Sequence, residues 1–228
     1  MISHGPIVRQ GDRIVTGLRD WKQWFAAYDD PASPLASRLR VVREGIRRAL
    51  DEAAPGPIRI LYLCAGEGRD VIPEVAAHPR RADVTARLVE FDPAIADVAR
   101  RAAAEAGVAD AFDVVTGDAA DPANFADFVP AEVLLLCGIF GNVSEADIAN
   151  TVARAAGLTA RGGTVIWTRH RREPNLVPSV HEWFAEAGFE TLWESDPELP
   201  EAIYVAGHRQ RRDPAPGTGA DKLFTFIK

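Results

Sequence analysis

The chain has 228 residues, 47% of them hydrophobic and 26% charged, a balance that excludes a disordered chain and suits a soluble globular protein of one elaborated α/β domain. A net charge of −7 excludes a broad, non-specific nucleic-acid interface, which needs a basic face to neutralise phosphates. No apolar stretch approaches the roughly 20 residues of a membrane span, and the opening MISHGPIVRQGDR lacks the apolar centre of a secretory signal, so neither a membrane nor a nucleic-acid partner is expected and the expected location is cytoplasmic.

The first helical pattern carries Leu18, Trp21, Phe25 and Tyr28 on one stripe with Trp24 beside it, and it stops at Asp29-Asp30-Pro31. These aromatics either pack the segment on a core or roof a ligand cleft. A second helix has Leu39, Val42, Ile46, Ala49, Leu50 and Ala53 on one face and ends at Pro55-Gly56-Pro57.

Strand-like runs follow at 58–64, 86–91, 112–116, 131–137 and 164–169, with helices expected between them. Asp92-Pro93 opens a helix expected to bury Ile95, Val98, Ala99 and Ala102, and Ser144–Asp147 and Ser179–Glu182 have the form of capping boxes. Strands alternating with helices imply a doubly wound, mainly parallel sheet. After Gly188 three strand-like runs, 189–195, 202–208 and 222–228, lack long helices between them and suggest an antiparallel edge.

In such a sheet ligands lie beyond the carboxyl ends of the strands. Four of these ends carry chemistry: Cys64-Ala65-Gly66-Glu67-Gly68, Glu90-Phe91-Asp92, Gly117-Asp118-Ala119, and Cys137-Gly138 running on to Phe140 and Asn142. Gly66 and Gly68 allow close backbone approach and expose amides at a helix start. Glu90 lies about 20 residues further on, the spacing of a carboxylate that binds two ribose hydroxyls. Val71 stands where the third glycine of a dinucleotide fingerprint belongs, which disfavours a nicotinamide enzyme. Asp70 is either a ligand for a cationic group or a helix-start carboxylate. Cys64 and Cys137 are too few for a disulfide framework or a zinc site and are expected to be reduced thiols.

Over residues 36–209 these motifs make the chain resemble the class I S-adenosylmethionine-dependent methyltransferases. The resemblance implies a seven-stranded Rossmann-like sheet with an antiparallel C-terminal edge, residues 36–228 forming the S-adenosyl-L-methionine domain and residues 1–35 an N-terminal helical cap. It implies that Cys64, Ala65, Gly66, Glu67 and Gly68 surround the amino-acid part of the cofactor. Glu90 would bind the ribose, Phe91 would lie against adenine, and Asp118 with Ala119 would bind the adenine edge. Cys137 and Gly138 would lie beside the sulfonium, and Leu158–Gly163 would form a glycine turn before the fifth strand. The family's acidic residue before the first glycine is replaced here by Tyr62, and that glycine by Cys64, so Glu67 or Asp70 is expected to hold the cofactor's ammonium.

Methyl transfer from a sulfonium is an in-line displacement that needs alignment, a dry cleft and, for some acceptors, a base. His170 is the candidate base; His181, inside a helix, is the weaker one. Trp21, Trp24, Tyr28, Phe140, Asn142 and Arg169 are candidate acceptor-side residues. The basic runs 169–172 and 209–212 read as solvated edges or substrate-side features. CGIFGNVS lacks the run typical of enzymes that methylate adenine or glutamine amino groups, which favours a small-molecule acceptor over the RNA and protein acceptors that stay open as alternatives. No metal is expected, and the chain is expected to be a monomer or homodimer. Cleavage or cyclisation of the cofactor, and a non-catalytic binding module, remain alternatives to methyl transfer. Replacing Gly68 with valine is expected to leave the fold intact but to exclude the cofactor.

Overall fold

The structure is a computed structural model, which describes residues 27–214 and 221–227. Trp21 and Trp24, and with them most of the expected N-terminal cap, lie outside the described residues. Seven strands run β1 Ile58–Leu63, β2 Val84–Glu90, β3 Phe112–Thr116, β4 Ala131–Leu136, β5 Thr159–His170, β6 Phe189–Glu194 and β7 Ile203–Gln210. The helices are α1 Pro34–Glu52, α2 Val71–Ala77, α3 Pro93–Glu105, α4 Glu145–Leu158 and α5 Val177–Glu186. Among the described residues no helix is long and apolar enough to cross a membrane.

The strand order is β3-β2-β1-β4-β5-β7-β6. β3 through β5 are parallel, whereas β7 pairs antiparallel with both β5 and β6. The order reverses between β1 and β4, so a crevice opens at their carboxyl ends, where Cys64 and Cys137 stand one residue beyond each strand. The buried run Ile58, Ile60–Leu63 of β1 and the run Val133–Leu136 of β4 are the continuous apolar pattern of strands covered on both faces.

One core lies under α1, α2 and α3, with Val42, Ile46 and Leu50 of α1 against Ile60, Tyr62 and Leu135. The other lies under α4 and α5, with Ile148, Val152 and Phe184 against Leu134, Leu136 and Trp167. Helix starts follow the capping chemistry of the sequence. Ser33 accepts from Ala36 N, Asp92 from Ala94 N and Ile95 N, and Ser144 from Asp147 N.

The structure corrects four expectations about the elements. Helix α3 buries Ala96, Ala99 and Ala103, while Ile95, Val98 and Ala102 sit at its flank; small side chains let the helix lie close to the sheet. Helix α5 begins at Val177 behind Leu176, so Ser179 is inside its first turn and caps nothing. The glycine turn at 158–163 falls within β5, where pairing with β4 jumps from Thr159 to Thr164.

The largest difference concerns the two sides of one gap. No α-helix links β3 to β4; the connection holds only a 3-10 turn, Pro122–Asn124. Correspondingly, residues 222–227 form no sheet strand and make one isolated bridge, Val143 with Phe226. Leu223 and Phe224 are buried in the core beside Ala119, Ala120 and Phe125. The C-terminal segment thus covers the face that a β3–β4 helix would cover, and its apolar residues go to loops rather than to the sheet edge.

Candidate functional site

The first turn begins at the end of β1. Its backbone takes a left-handed conformation at every second residue, Cys64 (φ 60), Gly66 (φ 59) and Gly68 (φ 67). Such alternation turns successive amides toward one concave side, a ready anion or dipole cradle. At Gly68 the conformation is required twice over, because a Cβ there would come within 2.6 Å of Ile72 Cδ1 and 3.1 Å of Leu88 Cδ2. Those contacts are with core side chains, so a side chain at 68 strains the turn and its core neighbours. Cys64 holds a left-handed position without being glycine, at a cost of about 1–3 kcal/mol, and it packs against the α4–α5 core.

Glu90 ends β2 beside this turn. One carboxylate oxygen accepts from Gly66 N at 2.9 Å and the other from Asp92 N at 2.9 Å. Burial raises its carboxyl above the usual range, opposed by these backbone amides. Phe91, the next residue, is 76% exposed, an apolar face left open beside a carboxylate at a strand end. Asp118, beyond β3, accepts from Ala120 N at 2.9 Å and from Lys222 Nζ at 2.7 Å.

The turn after β1 also holds a buried cluster that only partly follows from the sequence. Asp70 is buried and caps α2 through Val71 N. Its other oxygen accepts from the Tyr62 hydroxyl at 2.7 Å. The helix-cap reading of Asp70 is thus seen directly, with a second oxygen held by Tyr62. Burial raises its carboxyl, while Tyr62, the backbone amides and the Arg38 guanidinium act in the opposite direction. Arg38 reaches this point from α1 and donates to the Tyr28 hydroxyl. Glu67 pairs with Arg69, which also bridges to Asp29 at 2.7 Å, so Asp70 rather than Glu67 faces the buried cluster.

Around β4, Cys137 is buried and Gly138 N donates to Thr168 Oγ1 at 2.8 Å. Burial pushes both the Cys64 and Cys137 thiols well above their ordinary values, which leaves them as neutral small fillers. Asn142 ties the turn together, donating to Gly138 O at 2.8 Å. Arg169 donates to Phe140 O. Phe140 is fully buried, its ring 5.7 Å from that of Trp167, so its side chain belongs to the core and the expectation of an acceptor contact is corrected. His170 is the last residue of β5 and lies over this turn, its ring 3.7 Å from where a Cβ on Gly141 would be.

His181 lies elsewhere, bonded to the Tyr204 hydroxyl and 3.3 Å from Thr191 Oγ1 beside β7. The basic runs serve the chain itself. Arg171 lies over the Tyr204 ring, and Arg172, Arg209 and Arg211 pair with Glu201, Glu52 and Glu190. A groove of about 760 Å³ follows α1 and Trp193–Asp196 and includes none of the residues at the ends of β1 to β4. It is open surface, whereas the strand ends hold the convergent polar groups. Among the described residues no group of three or more His, Cys, Asp or Glu could hold a metal ion.

Residues 36–180 match a family model described as "Putative methyltransferase". The chain belongs to this methyltransferase family. Its fold is similar to that of an O-methyltransferase family protein from Burkholderia thailandensis, at a TM-score of 0.63 and 17% identity, covering 84% of this chain and 60% of that one. It is also similar to an O-methyltransferase family 2 protein from Planctomyces limnophilus solved in complex with apigenin, at a TM-score of 0.60 and 18% identity, covering 77% and 59% of the two chains. The [4+2]-cyclase SpnF shares the fold at a TM-score of 0.54 and 14% identity, with 74% and 81% covered. The chain thus spans about three fifths of the length of the two O-methyltransferase family proteins. No curated protein matches it by sequence.

Proposed function

We propose that the protein is an S-adenosyl-L-methionine-dependent methyltransferase acting on a small-molecule acceptor. The observation that carries this reading is the set of groups along the carboxyl ends of β1, β2 and β3, beside the switch point between β1 and β4. A cradle of amides, a ribose-type carboxylate, an exposed aromatic face and a second carboxylate stand there in the order of the cofactor's own parts.

The residues fit that cofactor by the chemistry of their donors. Its methionine end is a zwitterion, and Asp70 and Arg38 supply the two complementary charges at the end of β1. Glu90 accepts from the ribose hydroxyls while its bonds to Gly66 and Asp92 amides fix its orientation. Phe91 gives up its exposed face to adenine; covering about 80 Å² of it contributes roughly 2 kcal/mol. Asp118 accepts from the adenine amino group, and Ala119 presents backbone.

The cofactor supplies an electrophilic methyl group on sulfur, so the protein's task is alignment and exclusion of water. Gly138 brings backbone close to the reacting centre, held there by Thr168 and Asn142. His170 overlooks the same turn and would take the proton of a hydroxyl acceptor. Arg169 acts by fixing the turn through Phe140 O rather than by touching the acceptor. Tyr28 accepts from Arg38 through its hydroxyl and would line the acceptor side of the cleft.

The test is turnover of S-adenosyl-L-methionine against a library of small hydroxylated and aminated acceptors, with products separated by mass spectrometry. S-adenosylhomocysteine together with an acceptor heavier by one methyl group is expected. Methylthioadenosine as the product, or an isomerised acceptor with the cofactor intact, would place the chain with enzymes that use this fold for other chemistry.

A further inference from the structure

The C-terminal residues 221–227 run beside two loops of the candidate site. Leu223 N donates to Ala120 O at 2.9 Å, and Leu223 O accepts from Asn150 Nδ2 at 2.7 Å and Thr151 Oγ1 at 3.2 Å. Asp221 O accepts from Arg154 at 2.9 Å, and Ile227 N donates to Asn142 O at 2.9 Å. Leu223 and Phe224 are 0% and 2% exposed. The backbone on both sides of Lys222 is therefore pinned, and only its side chain is free to choose a direction. That direction is Asp118, at 2.7 Å.

With side-chain exposures of 61% and 35%, this ion pair contributes little to stability. Its geometry has another use. Asp118 Oδ1 is held by Ala120 N and Oδ2 by Lys222, which fixes the plane of the carboxylate. A carboxylate has about four lone-pair sites, so two donors leave room for a third. An oriented acceptor loses less freedom when a ligand's amino group arrives.

We propose that Lys222 is a positioning residue for the cofactor, holding Asp118 ready for the adenine amino group, and that residues 221–227 form the outer wall of the adenine subsite. This rests on the S-adenosylmethionine reading above. Through Asn142 and the Val143–Phe226 bridge the same segment also ties the adenine side of the site to the turn after β4.

The experiment is calorimetric titration of the full chain with S-adenosylhomocysteine, using Lys222→Met, Lys222→Arg, Asp118→Ala and the Lys222→Met/Asp118→Ala double variant. Lys222→Met is expected to weaken binding about threefold to tenfold, Lys222→Arg to restore most of that loss, and Lys222→Met to cause no further loss once Asp118 is alanine. Binding by Lys222→Met as tight as wild type overturns the inference, and tighter binding does so by marking Lys222 as a competitor for Asp118. An equal loss in the Asp118→Ala background also overturns it, reducing Lys222 to an anchor of the segment. A wild-type chain that binds no S-adenosylhomocysteine removes the cofactor reading and the inference together, a result distinct from all of these.

Discussion

The Tyr62 hydroxyl donates to the Asp70 carboxylate at 2.7 Å, across the turn that leaves β1. Tyr62 occupies the position where the resemblance leads one to expect an acid, and its hydroxyl meets the carboxylate of the residue that caps the next helix. Tyr62→Phe removes one donor from a buried carboxylate and is expected to cost about 1–3 kcal/mol of stability. It also raises the Asp70 carboxyl further. Because an ammonium group favours ionised Asp70, cofactor affinity is expected to fall as pH drops, and Tyr62→Phe moves that fall to higher pH; calorimetry across a pH series reads the displacement.

Gly68→Ala places a Cβ 2.6 Å from Ile72 Cδ1 in a left-handed residue. The expected loss is about 1–3 kcal/mol, visible as a lower urea midpoint at unchanged slope. Unchanged stability would mean that the turn relaxes without cost.

His208 is buried in β7, its ring centroid 4.4 Å from that of Phe184. Burial, with the nearby His181, lowers its pKa from 6.5 to about 3. Between those values the unfolded chain binds more protons than the native one, so stability falls as pH drops through this window, by up to about 1.4 kcal/mol per pH unit. His181, lowered chiefly by burial, acts in the same direction. His208→Phe keeps an aromatic ring in place and is expected to flatten the acid limb of a stability-versus-pH curve while neutral stability holds.

Phe224 is 2% exposed in the segment that stands in for a β3–β4 helix. Phe224→Ala is expected to cost about 3–5 kcal/mol, measured by thermal or denaturant unfolding. A surface-like loss below about 0.5 kcal/mol would show that the C-terminal segment is not part of the core.

The parallel sheet was legible because β1 to β4 are short runs each closed by a turn with glycine or a capping acid, and because Asp92-Pro93 and Ser144 announce helix starts locally. The four strand-end motifs were legible for the same reason: each follows directly from the strand that presents it. What escaped is non-local. KLFTFIK alternates like a strand, and only the missing helix after β3 gives its Leu and Phe a core to enter. Arg38 is one of several arginines on α1, and nothing in the local pattern separates it from Arg40, Arg43 or Arg47; its place beside Asp70 is set by how α1 lies on the sheet. Phe140 stands just past a strand end, where ligand contacts are expected, but the turn after Gly138 points it inward.

The central claim is that the carboxyl ends of β1, β2 and β3 are built for an S-adenosyl group, and its most direct measurement is thermal unfolding of wild type and Glu90→Ala with S-adenosylhomocysteine or NAD. At a ligand concentration about a hundredfold above Kd, S-adenosylhomocysteine is expected to stabilise the wild type by roughly 2.7 kcal/mol, and NAD not at all. Glu90→Ala is expected to lose about 1.5–3 kcal/mol of that binding through its missing ribose bonds. Stabilisation by NAD with none by S-adenosylhomocysteine, or a Glu90→Ala chain that binds S-adenosylhomocysteine as tightly as wild type, would contradict the account.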